Sequence, residues 1–471
     1  MLPELEKYSI YPSVVPANES VEMTVAPIER AFLLFEKEQY DLTVISSDAD
    51  EQSYANPSSF RRLSAVASGG VLKFNFTFDG EQEHLILLSK NGKKLWEFKV
   101  YSLLPDLYGK LALKGDLHGH SYRSDGACDP AALAGHYREQ GYDFFTLSDH
   151  NRTYPGDEID EVYRGVDIDL VRIYGEEVHS PGSVVHIVRV GGSGSVSDRY
   201  VHHREEYERE IEEYMSRVPE NVPAVYASRY AKAMWATDNI RKQGGLAIFP
   251  HPFWMPSASR INNVTSEFAR ILIKSGMFDA YELLGAMSSD NINRSVAMWS
   301  DLRAEGIKIS VVGSSDVHTI DKNRDFPNRF TICFAERHDS DSILQAVRSG
   351  LCVAVEALGQ GYDRQYRAYG EYRLVSYAQF LLNNYFPKLC RIAEGQGIAM
   401  RRYCMGDAPA ALIALHAEQV RAFRLRYFGI VAPGLPSDDV IAFEDRARKI
   451  HLAGPKTKGS VIDTEEVTRQ V

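Results

Sequence analysis

Basic residues are in short supply. The chain has 53 lysines and arginines against 64 aspartates and glutamates, a formal net charge of −11 over 471 residues. Neutralised phosphates supply most of the affinity for long nucleic acids. The balance therefore excludes a tight track for long duplexes, while leaving room for a nucleotide or a short single-stranded end. Cysteine is scarce too. Cys128, Cys333, Cys352, Cys390 and Cys404 are odd in number and form no C-x-x-C pair, which predicts reduced thiols in a cytoplasmic protein. No uninterrupted apolar run reaches the ~18 residues a membrane span requires. Met1 to Lys7 carry neither a basic n-region nor an apolar h-region, so no secretory signal is expected. A Walker-type lysine loop is also missing, which argues against ATP-driven chemistry.

Histidines and carboxylates at the ends of apolar runs stand out against this background. His118-Gly119-His120 follows Leu111 to Asp116 and precedes Ser124-Asp125-Gly126. Two histidines separated by one residue on an extended strand face the same side. Phe144 to Leu147 runs into Ser148-Asp149-His150, and Val171 to Tyr174 runs into Gly175-Glu176-Glu177. Val184 to Val190 carries His186 inside it. Gly245 to Phe249 leads to His251-Pro252, and Ile307 to Gly313 leads to Asp316-Val317-His318. Each alone could be a turn, a cap or a satisfied core histidine. Six apolar runs with the same signature favour a polynuclear metal site. Neutral histidine with carboxylate suits Zn²⁺, Mn²⁺ or Fe²⁺ rather than Ca²⁺ or Mg²⁺. Such ions lower the pKa of bound water to about 7 and supply hydroxide, so no protein nucleophile is required. Ser314-Ser315 lack a nucleophile-elbow pattern.

Length predicts two or three domains. Residues 1–108 read as a small β-sandwich-like domain: Val21–Val25, Tyr40–Ile45, Val71–Phe78, Glu83–Leu88 and Lys94–Tyr101 are strand-like, with Asn91-Gly92 as a hairpin turn. Residues 109–358 alternate strands and helices, which predicts an α/β domain with a parallel sheet, and ligands at strand ends favour a barrel. Pro130 to Gly141 reads as a helix with Asp129 as its N-cap and Gly141 near its C-terminus. Residues 198–243 read as a charged, solvated helical insertion, a candidate lid. Residues 359–471 read as a helical extension that caps the barrel or offers a homo-oligomer surface, ending in a loose tail from Lys456.

The motifs resemble those of the PHP (polymerase and histidinol phosphatase) family of metal-dependent phosphoesterases. The shared pieces are Asp116-Leu-His118-Gly-His120-Ser with Asp125, Asp149-His150-Asn, Gly-Glu-Glu177, His186, His251-Pro252 and Asp316-Val-His318, in the family's order, over about residues 112–358. The resemblance implies a distorted (β/α)7 barrel and two to three divalent ions. It implies one ion on His118, His120, Glu177 and Asp316, and a second on Glu177, His186 and His251. A third would sit on Asp125, His150 and His318. Asp149 is expected to orient a histidine from behind. Arg123, Arg152 and Arg260 lie beside these motifs and are candidates to grip a phosphate. The implied activity is hydrolysis of a phosphate ester on a small metabolite, nucleotide or short oligonucleotide. A metal-dependent amidohydrolase, or a scaffold stabilised by metal, are the alternatives; Asp316-x-His318 and the lack of an obvious bridging lysine favour the phosphoesterase.

Overall fold

The structure is a computed structural model that describes residues 6–48, 60–255, 261–320, 326–359 and 364–453. The tail from Lys456 lies outside the described residues.

Among the described residues, eight strands make up the N-terminal part: β1 (Tyr8–Tyr11), β2 (Val14–Pro16), β3 (Ser20–Pro27), β4 (Gln39–Ser46), β5 (Arg61–Val66), β6 (Leu72–Thr77), β7 (Gln82–Lys90) and β8 (Lys93–Leu103). They form a three-stranded sheet, β1-β3-β6, and a five-stranded sheet, β2-β8-β7-β4-β5. Alternation puts Leu42, Val44, Phe74, Phe76, Ile86, Leu88 and Val100 into one core. Asn91 and Gly92 close the β7–β8 hairpin with φ of 52° and 77°. Both fall in the left-handed region that a two-residue type I′ turn requires.

His84 on β7 is fully buried in this domain. Its two ring nitrogens lie 3.0 Å from Ser46 Oγ and 2.8 Å from Ser102 Oγ. Burial pushes its pKa down to about 4. An unfolded histidine titrates near 6.5, so between pH 6.5 and 4 the unfolded chain binds a proton that the folded one refuses. The stability linked to His84 is complete above pH 6.5 and is lost as pH falls through 4, about 3 kcal/mol in all. A His84→Gln variant escapes this loss. The gap in melting temperature between native protein and variant is expected to shift in the variant's favour from pH 7 to pH 4; an unchanged gap counts against the assignment.

The second part is built on β9 (Leu111–Asp116), β10 (Phe144–Leu147), β11 (Val171–Val178), β12 (Ile187–Val190), β13 (Leu246–Phe249), β14 (Ala280–Leu284), β15 (Ser310–Gly313), β16 (Arg329–Ala335), β17 (Cys352–Leu358) and β18 (Gln365–Tyr369). These form one mixed sheet in the order β15-β14-β13-β12-β11-β10-β9-β16-β17-β18. The sheet curls until β15 meets β16. There the Thr331 hydroxyl donates to Gly313 O at 2.8 Å and accepts from Gly313 N at 3.0 Å. A Cβ at Gly313 would lie 2.6 Å from Phe330 O, so only glycine permits this near-closure of the barrel.

The expectation of a parallel sheet fails at β16, which runs antiparallel to both β9 and β17, and at β12, which runs antiparallel to both β11 and β13. Only residues 179–186 separate β11 from β12. A parallel return needs a crossover of a dozen or more residues, whereas a hairpin does not. The lid expected at 198–243 is instead a packed layer. Helix Arg204–Ser216 buries Tyr207, Ile211 and Tyr214, with Tyr207 edge-on to Trp235 of helix Ala227–Lys242 at 4.8 Å.

Helices Tyr372–Asn384, Phe386–Cys404, Ala410–Tyr427 and Asp438–Ala453 follow the barrel. Helix Phe386–Cys404 crosses helix Pro130–Glu139 so closely that a Cβ at Gly397 would lie 2.2 Å from Glu139 N. Asp129 caps the second of these helices, accepting from Ala131 N and Ala132 N at 3.0 Å. Arg373 ties the extension to Glu81 and Asp106. Among the described residues, no helix is long and apolar enough to cross a membrane, and none of the five cysteines is in a disulfide.

Candidate metal centre

The cluster gathers where strands of the barrel end. His118 and His120 lie just beyond β9, held by hydrogen bonds from Asp316 N to His118 O and from His120 N to Val317 O, each 2.9 Å. His150 follows β10, Glu177 sits on β11, His251 follows β13, and Asp316 and His318 follow β15. His186 immediately precedes β12. Because β12 is reversed, its first end, not its last, reaches the site.

Alternation brings the His118 and His120 rings to one side, with their Nε2 atoms 3.2 Å apart. Glu177 stands at the centre and each of its oxygens faces three rings. Oε1 lies 3.0 Å from His186 Nδ1, 3.2 Å from His251 Nε2 and 3.3 Å from His179 Nε2. Oε2 lies 2.9 Å from His150 Nδ1, 3.5 Å from His118 Nε2 and 3.6 Å from His120 Nε2. Asp316 Oδ1 is 2.9 Å from His120 Nε2 and 3.3 Å from His118 Nε2. Asp125 Oδ1 is 3.2 Å from His150 Nε2 and 3.3 Å from His318 Nε2. All nine ligand candidates from the sequence thus meet in one cluster.

Local backbone is bent to build it. His251, Asp316 and Asn151 have φ of 25°, 49° and 55°, left-handed values that residues other than glycine rarely adopt. Such conformations persist where the surroundings enforce them, and they concentrate at functional sites.

Charge in the cluster is mutually dependent. Burial alone would lower the pKa of His118, yet Asp316, Glu177 and Glu282 drive it well above the ordinary value. Burial also opposes His150 and His318, but Asp125 and its neighbours push them up to about 10 and about 9. Glu177, Asp316 and Asp125 are held below the usual carboxylate range by the surrounding histidines, despite burial. At His186 burial wins, and its pKa falls to about 4.

The residues fit divalent ions. His120 Nδ1, His150 Nδ1, His179 Nε2 and His186 Nδ1 are buried without hydrogen-bond geometry to any partner, although each lies within 4.0 Å of a carboxylate oxygen. Ring nitrogens that converge without pairing are what ligands around a shared centre look like, and buried polar atoms otherwise find partners. Donor atoms within 4.8 Å of one another group as His118-His120-Glu177, His118-His251-Asp316, Glu177-His186-His251, His120-Asp125-His150-His318 and His150-Glu177-His179.

Three residues of the site carry no assignment from the sequence. Glu282 on β14 lies 3.0 Å from His118 Nδ1, so this carboxylate fixes the ring and leaves Nε2 to the cluster. Asp116 accepts from Ser315 N and Tyr137 OH, and burial pushes its carboxyl up to about 7. His179 touches Glu177 and stacks on His186 with centroids 3.8 Å apart. A signal existed for two of them: Asp116 and His179 stand two residues from His118 and Glu177, on the same face of an extended chain.

The supporting residues differ from expectation. Asp149 orients no ring; its carboxylate accepts from Ser121 N at 2.8 Å and from the Ser121 and Ser124 hydroxyls. It therefore shapes the turn that delivers Asp125. Arg123 directs its guanidinium to Glu158 at 2.9 Å. Arg152 donates to the carbonyls of His150 and Arg123. Neither presents an uncommitted fork for a phosphate. Arg260 lies outside the described residues. His202 and His203 are exposed.

No protein-family model matches the chain, and no curated protein matches it significantly. Solved structures do. The chain is similar to a two-domain protein from Bacteroides vulgatus containing a predicted PHP-like metal-dependent phosphoesterase, at 18% identity over 55% of this chain and 75% of that one, with a TM-score of 0.37. It is similar to a candidate metal-dependent phosphoesterase from Bifidobacterium adolescentis, at 18% identity over 43% of this chain and 87% of that one, TM-score 0.31. It is also similar to an amidohydrolase from Chromobacterium violaceum with bound sulfate, at 17% identity over 44% of this chain and 89% of that one, TM-score 0.30. At these values the likeness assigns no activity to this chain.

Proposed function

We propose that this protein is a PHP-type metal-dependent hydrolase of phosphate esters, acting on a small phosphorylated metabolite, a nucleotide or a short oligonucleotide. The observation that carries the reading is Glu177, whose two oxygens each face three imidazoles. A carboxylate so placed can bridge ions, and histidine with carboxylate selects Zn²⁺, Mn²⁺ or Fe²⁺. The candidate ligands are His118, His120, Asp125, His150, Glu177, His186, His251, Asp316 and His318. When bound, such ions supply a nucleophile at neutral pH and stabilise charge on phosphate oxygens. The chain's own part is positional. Glu282 holds the His118 ring, Asp149 holds the turn before Asp125, and the Glu177 carboxylate divides the rings into two groups. No serine nucleophile is needed, and the hydroxyls of Ser121, Ser124 and Ser315 are engaged by Asp149 and Asp116. The (β/α)7 description of the barrel and a cytoplasmic setting belong to the same reading.

The test is a rate comparison. Purified protein loaded with Mn²⁺ or Zn²⁺ is offered phosphomonoesters, phosphodiesters and an amide panel. Hydrolysis of a phosphate ester that disappears on chelation and returns with metal supports the reading. Turnover confined to amides replaces it with the amidohydrolase. Metal-dependent melting with no turnover on either class leaves the scaffold.

A further inference from the structure

We propose that His179 is itself a metal ligand, forming with Glu177 and Nδ1 of His150 an ion position separate from the one formed by Asp125, His150 and His318. The proposal rests on reading the cluster as a metal centre and adds to it a ligand that the PHP resemblance does not supply.

Four observations converge. Donor atoms of His150, Glu177 and His179 lie within 4.8 Å of one another. His179 Nε2 is buried, 3.3 Å from Glu177 Oε1, with no hydrogen-bond geometry to any partner. An imidazole nitrogen that merely faced solvent would not be sealed in this way. The ring is also built into place. Its backbone N–H donates to Asn151 Oδ1 at 2.8 Å, and the same oxygen accepts from Tyr200 OH at 2.6 Å. Tyr200 belongs to helix Asp198–His202, so the packed insertion fixes the residue that carries the ring. The ring stacks on His186 at 3.8 Å and lies 4.4 Å from that of His150.

His150 then decides the arrangement. Its Nε2 lies 3.2 Å from Asp125 Oδ1, on the side of His318, while its Nδ1 lies 2.9 Å from Glu177 Oε2, on the side of His179. One imidazole thus faces two donor groups through opposite atoms. Filling both positions together requires both nitrogens to be free of protons, with the second ring proton released to solvent. Two nitrogens and a carboxylate oxygen form a set suited to borderline divalent ions such as Zn²⁺ or Mn²⁺.

Counting ions tests this without reference to turnover. Full-length native protein, His179→Gln, Asp125→Asn and the double variant are stripped by chelation and then saturated with Mn²⁺. Bound ions are counted by elemental analysis, and circular dichroism of the metal-free forms checks that each variant is folded. Each single variant is expected to hold one ion fewer than native protein, and the double variant two fewer. His179→Asp, which returns a ligand oxygen, is expected to recover the lost ion. A His179→Gln count equal to the native count overturns the proposal, as does a double variant that loses no more than either single one. Native protein that holds no ion at all defeats the metal-centre reading itself, a different result from either.

Discussion

Replacing His118 and His120 together with alanine is expected to abolish the proposed phosphoesterase activity and to lower bound metal, with the fold largely intact. The two Nε2 atoms point at one place 3.2 Å apart and face Glu177 and Asp316. Their loss removes the two rings that face both Glu177 Oε2 and Asp316 Oδ1, and leaves His251 as the ring still within reach of both carboxylates. Partners that merely orient a ligand are worth about 10–100-fold in metal affinity or activity; removal of two ligands should exceed that, to ~10³-fold or more. The fold should survive because the backbone pairing of β9 with β10 and β16 involves neither ring, although Glu282 loses its partner at His118 Nδ1. The backbone of this segment is held by Asp316 N–His118 O and His120 N–Val317 O, which alanine preserves. Circular dichroism, metal content and hydrolysis rates with Mn²⁺ check the three parts of the expectation. A double variant with full activity would reject the site.

The largest effect on stability is expected far from that cluster, at Arg424. This arginine enters from helix Ala410–Tyr427 and is almost fully buried, at 3% exposure. Its Nη2 lies 2.7 Å from both Asp143 and Asp169, and its Nη1 lies 3.2 Å from Asp169. Arg138 sits behind the two aspartates, 3.4 Å and 3.9 Å away. His338 Nδ1 is 3.5 Å from Asp169. Burial works against the Asp169 carboxylate, yet His338, Arg424 and Arg138 hold it below the usual range. Arg424→Leu would leave this buried pair of carboxylates short of one cation. Breaking a buried ion pair on one side costs about 3–5 kcal/mol. Urea unfolding should register that loss, and proteolysis should cut the C-terminal helices first. Arg424→Lys should recover only part, because an ammonium cannot reproduce the forked geometry. A loss under about 1 kcal/mol would show that the helix is held by apolar packing alone.

Legibility differed by kind of feature. The Asn91-Gly92 turn, the Asp129 cap and the apolar strands ending in histidines and carboxylates could all be read directly, because each is set by residues adjacent in the chain. The ligand candidates were legible for the same reason: a donor placed at the end of a buried strand must emerge at one rim of the sheet. Arg123 and Arg152 misled because proximity to a motif says nothing about partners; Glu158 and two carbonyls occupy them. Residues 198–243 misled because charge on one face of a helix hid Tyr207, Ile211 and Tyr214 on the other. Glu282 offered no signal, since one acid in an apolar strand is indistinguishable from a core ion pair until its partner, His118, is known.

The chain by itself determined that a histidine-rich, carboxylate-bearing centre would be presented at strand ends, because alternation and turn chemistry operate over a few residues. Tertiary structure alone decided the reversal of β12, the near-closure at Gly313 and Thr331, and the placement of Glu177 between two sets of three rings. It also decided that His179 joins the cluster and that Asp149 does not orient a ring. Those outcomes depend on distances between segments up to about two hundred residues apart, such as the 199 that separate Asp116 from Ser315. Such distances exist only once the sheet has curled and the ligand-bearing segments are packed against one another.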